Sequence, residues 1–437
     1  MDSSRNNRVG GLSAVVERAV AASRALLSLT GHARRDILSS VADALEEDHE
    51  AVLAANARDV ARARESDLPE SVLSRMLLDE ARYLEMGRSL RTLADFEDPL
   101  GKRVSRWVRP NGLEIERVRV PLGVVGVCCE SRPKVFPIVA ASCLKVSDAL
   151  VFVADPGMRE THEAVLAAIR RGGAAAGMPA DAVQLVCEPD HGEACRELLS
   201  FEGKVDVAIL RGSQSFVSDL SQCACVPVLR RTGRLCHVYV DCDHPNPDLP
   251  RETFSTDLAM AADVAINSCL FDPDDACAAS VLLVHSAIAD RFLPLLGRQA
   301  AAEGLRLRAD ERARKFLPGA LAAGPEDFSR PSSDGSLCVG LVDSLEEAAR
   351  RINENGSRLV DAIVSGSPEA QREFQRAVDS AVVCVNAATA FAGGASFGMG
   401  ADVGFSSDKL DPRGPIGLEG LTSLKYLVLG DGQTRGA

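Results

Sequence analysis

No apolar run in the 437 residues approaches the roughly 20 that a membrane-spanning helix needs. The opening residues, MDSSRNNRVGG, lack the apolar core of a secretion signal. Basic residues never cluster beyond a few, and the net charge of −13 argues against nucleic acid or an anionic membrane surface as partner. The thirteen cysteines contain no CxxC pair and are odd in number, as expected of free thiols in a reducing compartment. Cys236-His237 with Cys242 and His244 is the one metal-like cluster, and its spacing fits no standard zinc pattern, so no metal is expected. No GxGxxG follows a strand-like run; Gly398-Met399-Gly400 does not complete one, and a Rossmann fingerprint is absent. Internal repeats and low-complexity segments are lacking too. We expect a cytoplasmic protein.

What is present is the balance of an ordinary globular protein, 46% hydrophobic and 25% charged, in a chain long enough for two or three cores. Leu12 to Leu29, Arg34 to Ala63 and Pro69 to Phe96 carry apolar residues at three- and four-residue spacing and read as helices, with Thr30-Gly31 as a break. Trp107 to Val120 alternates, predicting a hairpin that turns at Pro110-Asn111-Gly112. From Val124 onward, short buried strands alternate with helices as far as His237–Asp241. A second such series follows, through Val339–Val342, Asp361–Val364 and Val382–Val385. That alternation predicts an α/β fold of parallel sheets wrapped by helices, which bind ligands at the carboxyl ends of their strands. The tail from Asn386 is rich in glycine and turns and ends in the strand-like Tyr426–Leu429.

The chain converges on Asp263 to His285. A helix is expected to end near Asn267, followed by a loop holding Pro273, then a buried strand around Val281–Val284. Cys277 sits where loop meets strand. A thiolate there can attack a carbonyl; the plain alternative is a buried apolar cysteine. Asp272, Asp274 and Asp275 lie within five residues of it. Close carboxylates disfavour a thiolate and repel an anionic acyl phosphate, whereas a solvated loop leaves it untouched.

Several blocks together resemble gamma-glutamyl phosphate reductase, a branch of the aldehyde dehydrogenase superfamily. They are Arg119-Val-Pro-Leu-Gly-Val-Val-Gly-Val, Glu130-Ser-Arg-Pro133, Cys143-Leu-Lys145, Cys236-His-Val-Tyr-Val-Asp241, Val385-Asn386-Ala387, Phe397-Gly-Met-Gly400 and Arg413-Gly-Pro-Ile-Gly-Leu-Glu-Gly-Leu421, with Asn56-Ala-Arg-Asp-Val60 fitting as well. The resemblance implies an aldehyde dehydrogenase-like fold: two doubly wound parallel-sheet domains plus a small β flap for homo-oligomerisation. Residues 1–106 and 121–245 would form the cofactor-binding domain, 246–385 the catalytic domain, and 107–120 with 386–437 the flap and tail. It further implies NADPH-dependent reduction of L-glutamyl 5-phosphate to L-glutamate 5-semialdehyde in proline biosynthesis. A cysteine thiolate attacks the acyl phosphate, phosphate leaves, and hydride reduces the thioester.

Carried over position by position, the family's nucleophile falls on Ala276, with Cys277 one place later as the sulfur available. Lys134, in place of the family's amide after Arg-Pro, and Asn267 would serve the oxyanion. Arg132, Asn386 and Arg413 would contact substrate, each with a structural alternative: loop anchor, strand cap and turn residue. The family's Gly-Gly-Lys-Glu stretch, implied to hold the cofactor, falls on Ala154-Asp155-Pro156-Gly157, which loses the lysine and adds an acid beside phosphates and ribose. A small glycine-rich turn becomes Arg230-Arg231-Thr232-Gly233-Arg234. Its arginines either clamp cofactor phosphate or fill the slot that glycine leaves for nicotinamide. Three readings stay open: a working NADP(H)-dependent reductase, a catalytically silent paralogue retained for binding or assembly, or an aldehyde dehydrogenase-like enzyme with altered substrate and cofactor.

Overall fold

The computed structural model describes residues 6–230, 235–242, 256–271, 276–331, 335–400, 403–410 and 412–435. The chain forms two compact units. The first comprises Met1–Arg230, Met399–Gly404 and Ile416–Ala437, and the second Arg231–Gly398 and Phe405–Pro415.

In the first unit a parallel sheet runs, in spatial order, Val183–Val186, Ala149–Ala154, Val124–Cys129, Val207–Arg211 and Val228–Leu229. Ala149–Ala154 and the central strand Val124–Cys129 are buried at every position. Unbroken apolar runs are what a parallel sheet covered on both faces demands. The expected helix over 34–63 is two helices, Gly31–Glu47 and His49–Glu65, parted at Asp48. Likewise 69–96 divides into Glu70–Met76 and Glu80–Asp95, because the Asp79 carboxylate accepts the Arg82 N–H at 2.8 Å and starts a new helix.

Asn56 and Asp59 tie these helices to the sheet layer. Asn56 Oδ1 accepts from the Leu78 N–H at 2.8 Å, and its Nδ2 donates to the Met76 carbonyl at 2.9 Å. Asp59 Oδ2 accepts the Thr161 N–H at 2.8 Å and hydroxyl at 2.6 Å, placing a carboxylate at the N-terminus of helix Arg159–Ala175. Negative charge is favoured at that end of a helix. One turn along the same helix His162 is 2% exposed, with its ring 5.7 Å from Phe136 and 5.6 Å from Phe152 between centroids.

A three-stranded antiparallel sheet joins the hairpin Arg103–Val108/Glu114–Pro121 to the C-terminal strand Thr422–Leu429. Gly112, with φ +86°, supplies the left-handed residue of the turn. Opposed residues share a face, so Trp107, Ile115 and Val428 line up, with Arg117 and Tyr426 two residues along. Trp107 and Tyr426 meet edge to face at 6.2 Å, and the Arg117 guanidinium lies 5.4 Å from the Tyr426 ring centre. Trp107, Tyr426 and Val428 remain 38%, 56% and 58% exposed.

The second unit holds seven parallel strands among the described residues. Their order is Leu321–Ala322, Leu307–Ala309, Leu337–Val342, Ala279–His285, Cys236–Val240, Val360–Val364 and Val382–Val385. This corrects one expected boundary. The strand Cys236–Val240, assigned above to the cofactor-binding domain, pairs with Ala279–His285 and Val360–Val364 and belongs to the second sheet. The helix expected to end near Asn267 runs Leu258–Leu270, started by the Asp257 carboxylate accepting the Ala259 and Met260 N–H groups. Two doubly wound parallel sheets and a small antiparallel sheet make this an aldehyde dehydrogenase-like α/β fold. No helix among the described residues is long and apolar enough to cross a membrane.

Candidate active site

Cys277 lies in a turn two residues before strand Ala279–His285 and is 2% exposed. Its Sγ donates to the Ala392 carbonyl at 3.1 Å. Its own carbonyl accepts the Thr389 hydroxyl at 2.6 Å, and the Thr389 N–H donates to Ser268 Oγ at 3.0 Å on helix Leu258–Leu270. Cys236, Ala276, Leu359, Val360 and Ala392 pack around it. Ala276, the aligned nucleophile position, is buried beside it, its carbonyl accepting from Cys236 Sγ at 3.4 Å. Spacing within the loop gave no sign of Thr389, Ser268 or Ala392, which come from other segments.

The remaining second-unit residues fall in different places. Asn267 is on the exposed side of its helix, with its carbonyl accepting the Phe271 N–H at 3.1 Å. Asn386, at φ +52°, spends its amide on Ser365, accepting that residue's N–H and donating to its carbonyl, both at 3.0 Å. It thereby clamps the ends of strands Val360–Val364 and Val382–Val385. Next to it Asp241 accepts the Tyr239 hydroxyl at 2.7 Å and the Ser365 hydroxyl at 3.1 Å. Arg413 Nη2 donates to the Asp379 carbonyl at 3.1 Å and carboxylate at 3.0 Å, anchoring a turn.

In the first unit, Glu130, Ser131, Arg132 and Lys134 follow the central strand, and Asp155 follows its neighbour Ala149–Ala154. Ser131 Oγ and the Gly157 N–H (2.9 Å) donate to the Asp155 carboxylate, joined weakly by the Ser131 N–H at 3.4 Å. The Glu130 carboxylate accepts the Ser213 N–H and, at 3.3 Å, its hydroxyl. Lys134 Nζ pairs with Glu85 at 2.5 Å, so an oxyanion role requires breaking that pair. The Arg132 carbonyl accepts the Val135 N–H at 3.2 Å as the next helix begins. Arg230 is half-buried at the end of this unit. Arg231, Gly233, Asp272, Asp274, Asp275 and His244 lie outside the described residues.

All thirteen cysteines are free. The Cys195 thiol is held down to about 6 by the Cys128 thiol and, at 3.5 Å, by His191 Nε2, against burial that pulls the other way. Burial pushes Cys129 up to about 12 despite Arg211 and Arg132 nearby. Among the described residues, no three His, Cys, Asp or Glu side chains are grouped to hold a metal.

No family model matches the chain. Curated relatives do. A protein named gamma-glutamyl phosphate reductase from Moorella thermoacetica is 40% identical over 419 residues, 96% of this chain and 97% of that one. One of the same name from Salinibacter ruber is 36% identical over 95% of this chain and 92% of its own. The crystal structure of gamma-glutamyl phosphate reductase from Thermotoga maritima superposes with a TM-score of 0.90 at 30% identity, covering 97% of this chain and all of that one. An acetylating aldehyde dehydrogenase from Geobacillus thermoglucosidasius shares the fold, with a TM-score of 0.70 at 17% identity. At such identity over nearly its whole length, the chain belongs to the gamma-glutamyl phosphate reductase family.

Proposed function

We propose that this chain reduces L-glutamyl 5-phosphate to L-glutamate 5-semialdehyde with release of phosphate, as a homo-oligomer in the cytoplasm. The observation carrying this reading is the near full-length identity to relatives bearing the reductase name. Cys277 is the nucleophile: its sulfur exchanges the Ala392 carbonyl for the substrate carbonyl and forms the thioester, and phosphate leaves with the bonding pair and takes up the thiol proton. Asn267, in the same unit as Cys277, steadies the oxyanion. Asn386 and Arg413 act by holding the loops around them. A reduced nicotinamide dinucleotide, when bound, supplies hydride to the thioester carbon. The exposed face bearing Trp107, Tyr426 and Val428 is the surface on which subunits pair.

The test is phosphate-dependent oxidation of glutamate semialdehyde, run in parallel with NAD and NADP. Wild type turns over and Cys277→Ala does not. Full activity in the variant removes Cys277 from the mechanism and leaves the reaction standing. A second reading, a silent paralogue kept for binding or assembly, is favoured by the Cys277 thiol donating to Ala392 and by alanine at 276. Absence of turnover together with a flat dinucleotide titration decides for it.

A further inference from the structure

The dinucleotide implied by the family resemblance carries a 2′-phosphate, and the first unit does not fit that group. In a parallel sheet of this kind the pyrophosphate meets the loop after the first strand of a βαβ unit, and the adenosine ribose meets the residue after the second. Here the unit is Val124–Cys129, helix Val135–Lys145 and Ala149–Ala154, and the residue after the second strand is Asp155. A carboxylate at that place accepts from the 2′-hydroxyl and repels a phosphate carrying roughly −1.5 to −2 charges.

Asp155 is not free to swing aside. The Ser131 hydroxyl and the Gly157 N–H, at 2.9 Å, hold its carboxylate across both βα loops. Of about four acceptor sites on a carboxylate those two donors take two, and the Ser131 N–H at 3.4 Å is only a weak third. Capacity for ribose hydroxyls is left. Two arginines of this unit, Arg159 and Arg211, are committed elsewhere. Arg159, four residues on, donates to the Cys187 carbonyl and pairs with Glu163 at 3.5 Å. Arg211 Nη1 donates to the Val403 carbonyl at 2.6 Å. Arg132 belongs to the first loop, the pyrophosphate end of such a site. Glu130, with its carboxylate on the Ser213 N–H, adds a second negative charge at the same edge of the sheet.

We infer that this site takes NAD(H) in preference to NADP(H), with Asp155 as the residue that discriminates. The inference rests on the proposed reductase reading, and calorimetry separates the two. Full-length protein is titrated with NADH and with NADPH, and again as Asp155→Asn, which keeps an acceptor for Ser131 and Gly157, and as Asp155→Ser. Circular dichroism confirms that each variant is folded. The expected result is NADH tighter than NADPH by about tenfold or more, with Asp155→Asn closing that gap mainly by tightening NADPH. Equal or tighter NADPH binding by wild type, or an unchanged ratio in folded Asp155→Asn, overturns the assignment and leaves the reductase standing. No binding of either dinucleotide overturns both.

Discussion

His162 offers the sharpest check on the first unit. It is 2% exposed between Phe136 and Phe152, and neither ring nitrogen finds a partner with hydrogen-bond geometry. Burial drives its pKa from 6.5 down to about 4, against weaker opposing pulls from the Asp155 charge and the Met158 backbone. Because the folded pKa lies below the unfolded one, the unfolded chain binds more protons between those two values, and stability rises with pH across that window. The contribution is intact above about pH 6.5 and lost as pH falls. The loss is about 2 kcal/mol at about pH 5 and about 3 kcal/mol below both values. His162→Leu keeps the volume and removes the titration. Urea unfolding, followed by the fluorescence of the single tryptophan, Trp107 in the first unit, measures both proteins at about pH 7.5 and about pH 5. Every carboxylate is common to the two, so the difference between their pH slopes isolates the imidazole. Wild type should lose about 2 kcal/mol more than the variant. Equal slopes would refute the claim that the ring is buried neutral. So would a His162 proton resonance that titrates near 6.5.

Further outcomes follow from other sites. Asn386→Ala removes two hydrogen bonds to Ser365 and puts alanine at positive φ, so it should lower stability by about 2–3 kcal/mol, with Asn386→Gly milder. Unchanged thermal stability with a raised KM would instead make Asn386 a substrate contact. Cys277 in the folded protein should react with maleimide far more slowly than the exposed Cys223 and Cys225, and Thr389→Val should speed it by releasing the turn; peptide mass spectrometry reads both. Equal labelling of all three would contradict the buried thiol. Trp107→Glu combined with Tyr426→Glu places charge on the exposed apolar face and should shift sedimentation velocity towards the protomer. An unchanged coefficient would move the subunit interface elsewhere.

The local pattern of the chain was enough for most elements. Unbroken apolar runs such as Val124–Cys129 and Ala149–Ala154 announce buried parallel strands, and Pro110-Asn111-Gly112 announces the hairpin, since side-chain spacing and turn chemistry act between neighbours. The helix breaks at Asp48 and Asp79 were less legible, because an aspartate inside a helical stretch looks the same whether a helix ends there or runs on with the side chain in solvent. Cys277 and Asp155 could likewise be picked out by residue type and place. Which sheet receives Cys236–Val240 was not readable, since its hydrogen bonds go to strands some 40 and 120 residues later. The state of Cys277 was equally hidden: it depends on the carbonyl of Ala392, 115 residues away, and on the Thr389 hydroxyl that fixes the turn. Periodicity and residue type thus determined the elements and the chemically able side chains. Only the tertiary structure decided which of those side chains are desolvated and which donor or acceptor each one faces, because segments far apart in the chain supply those partners.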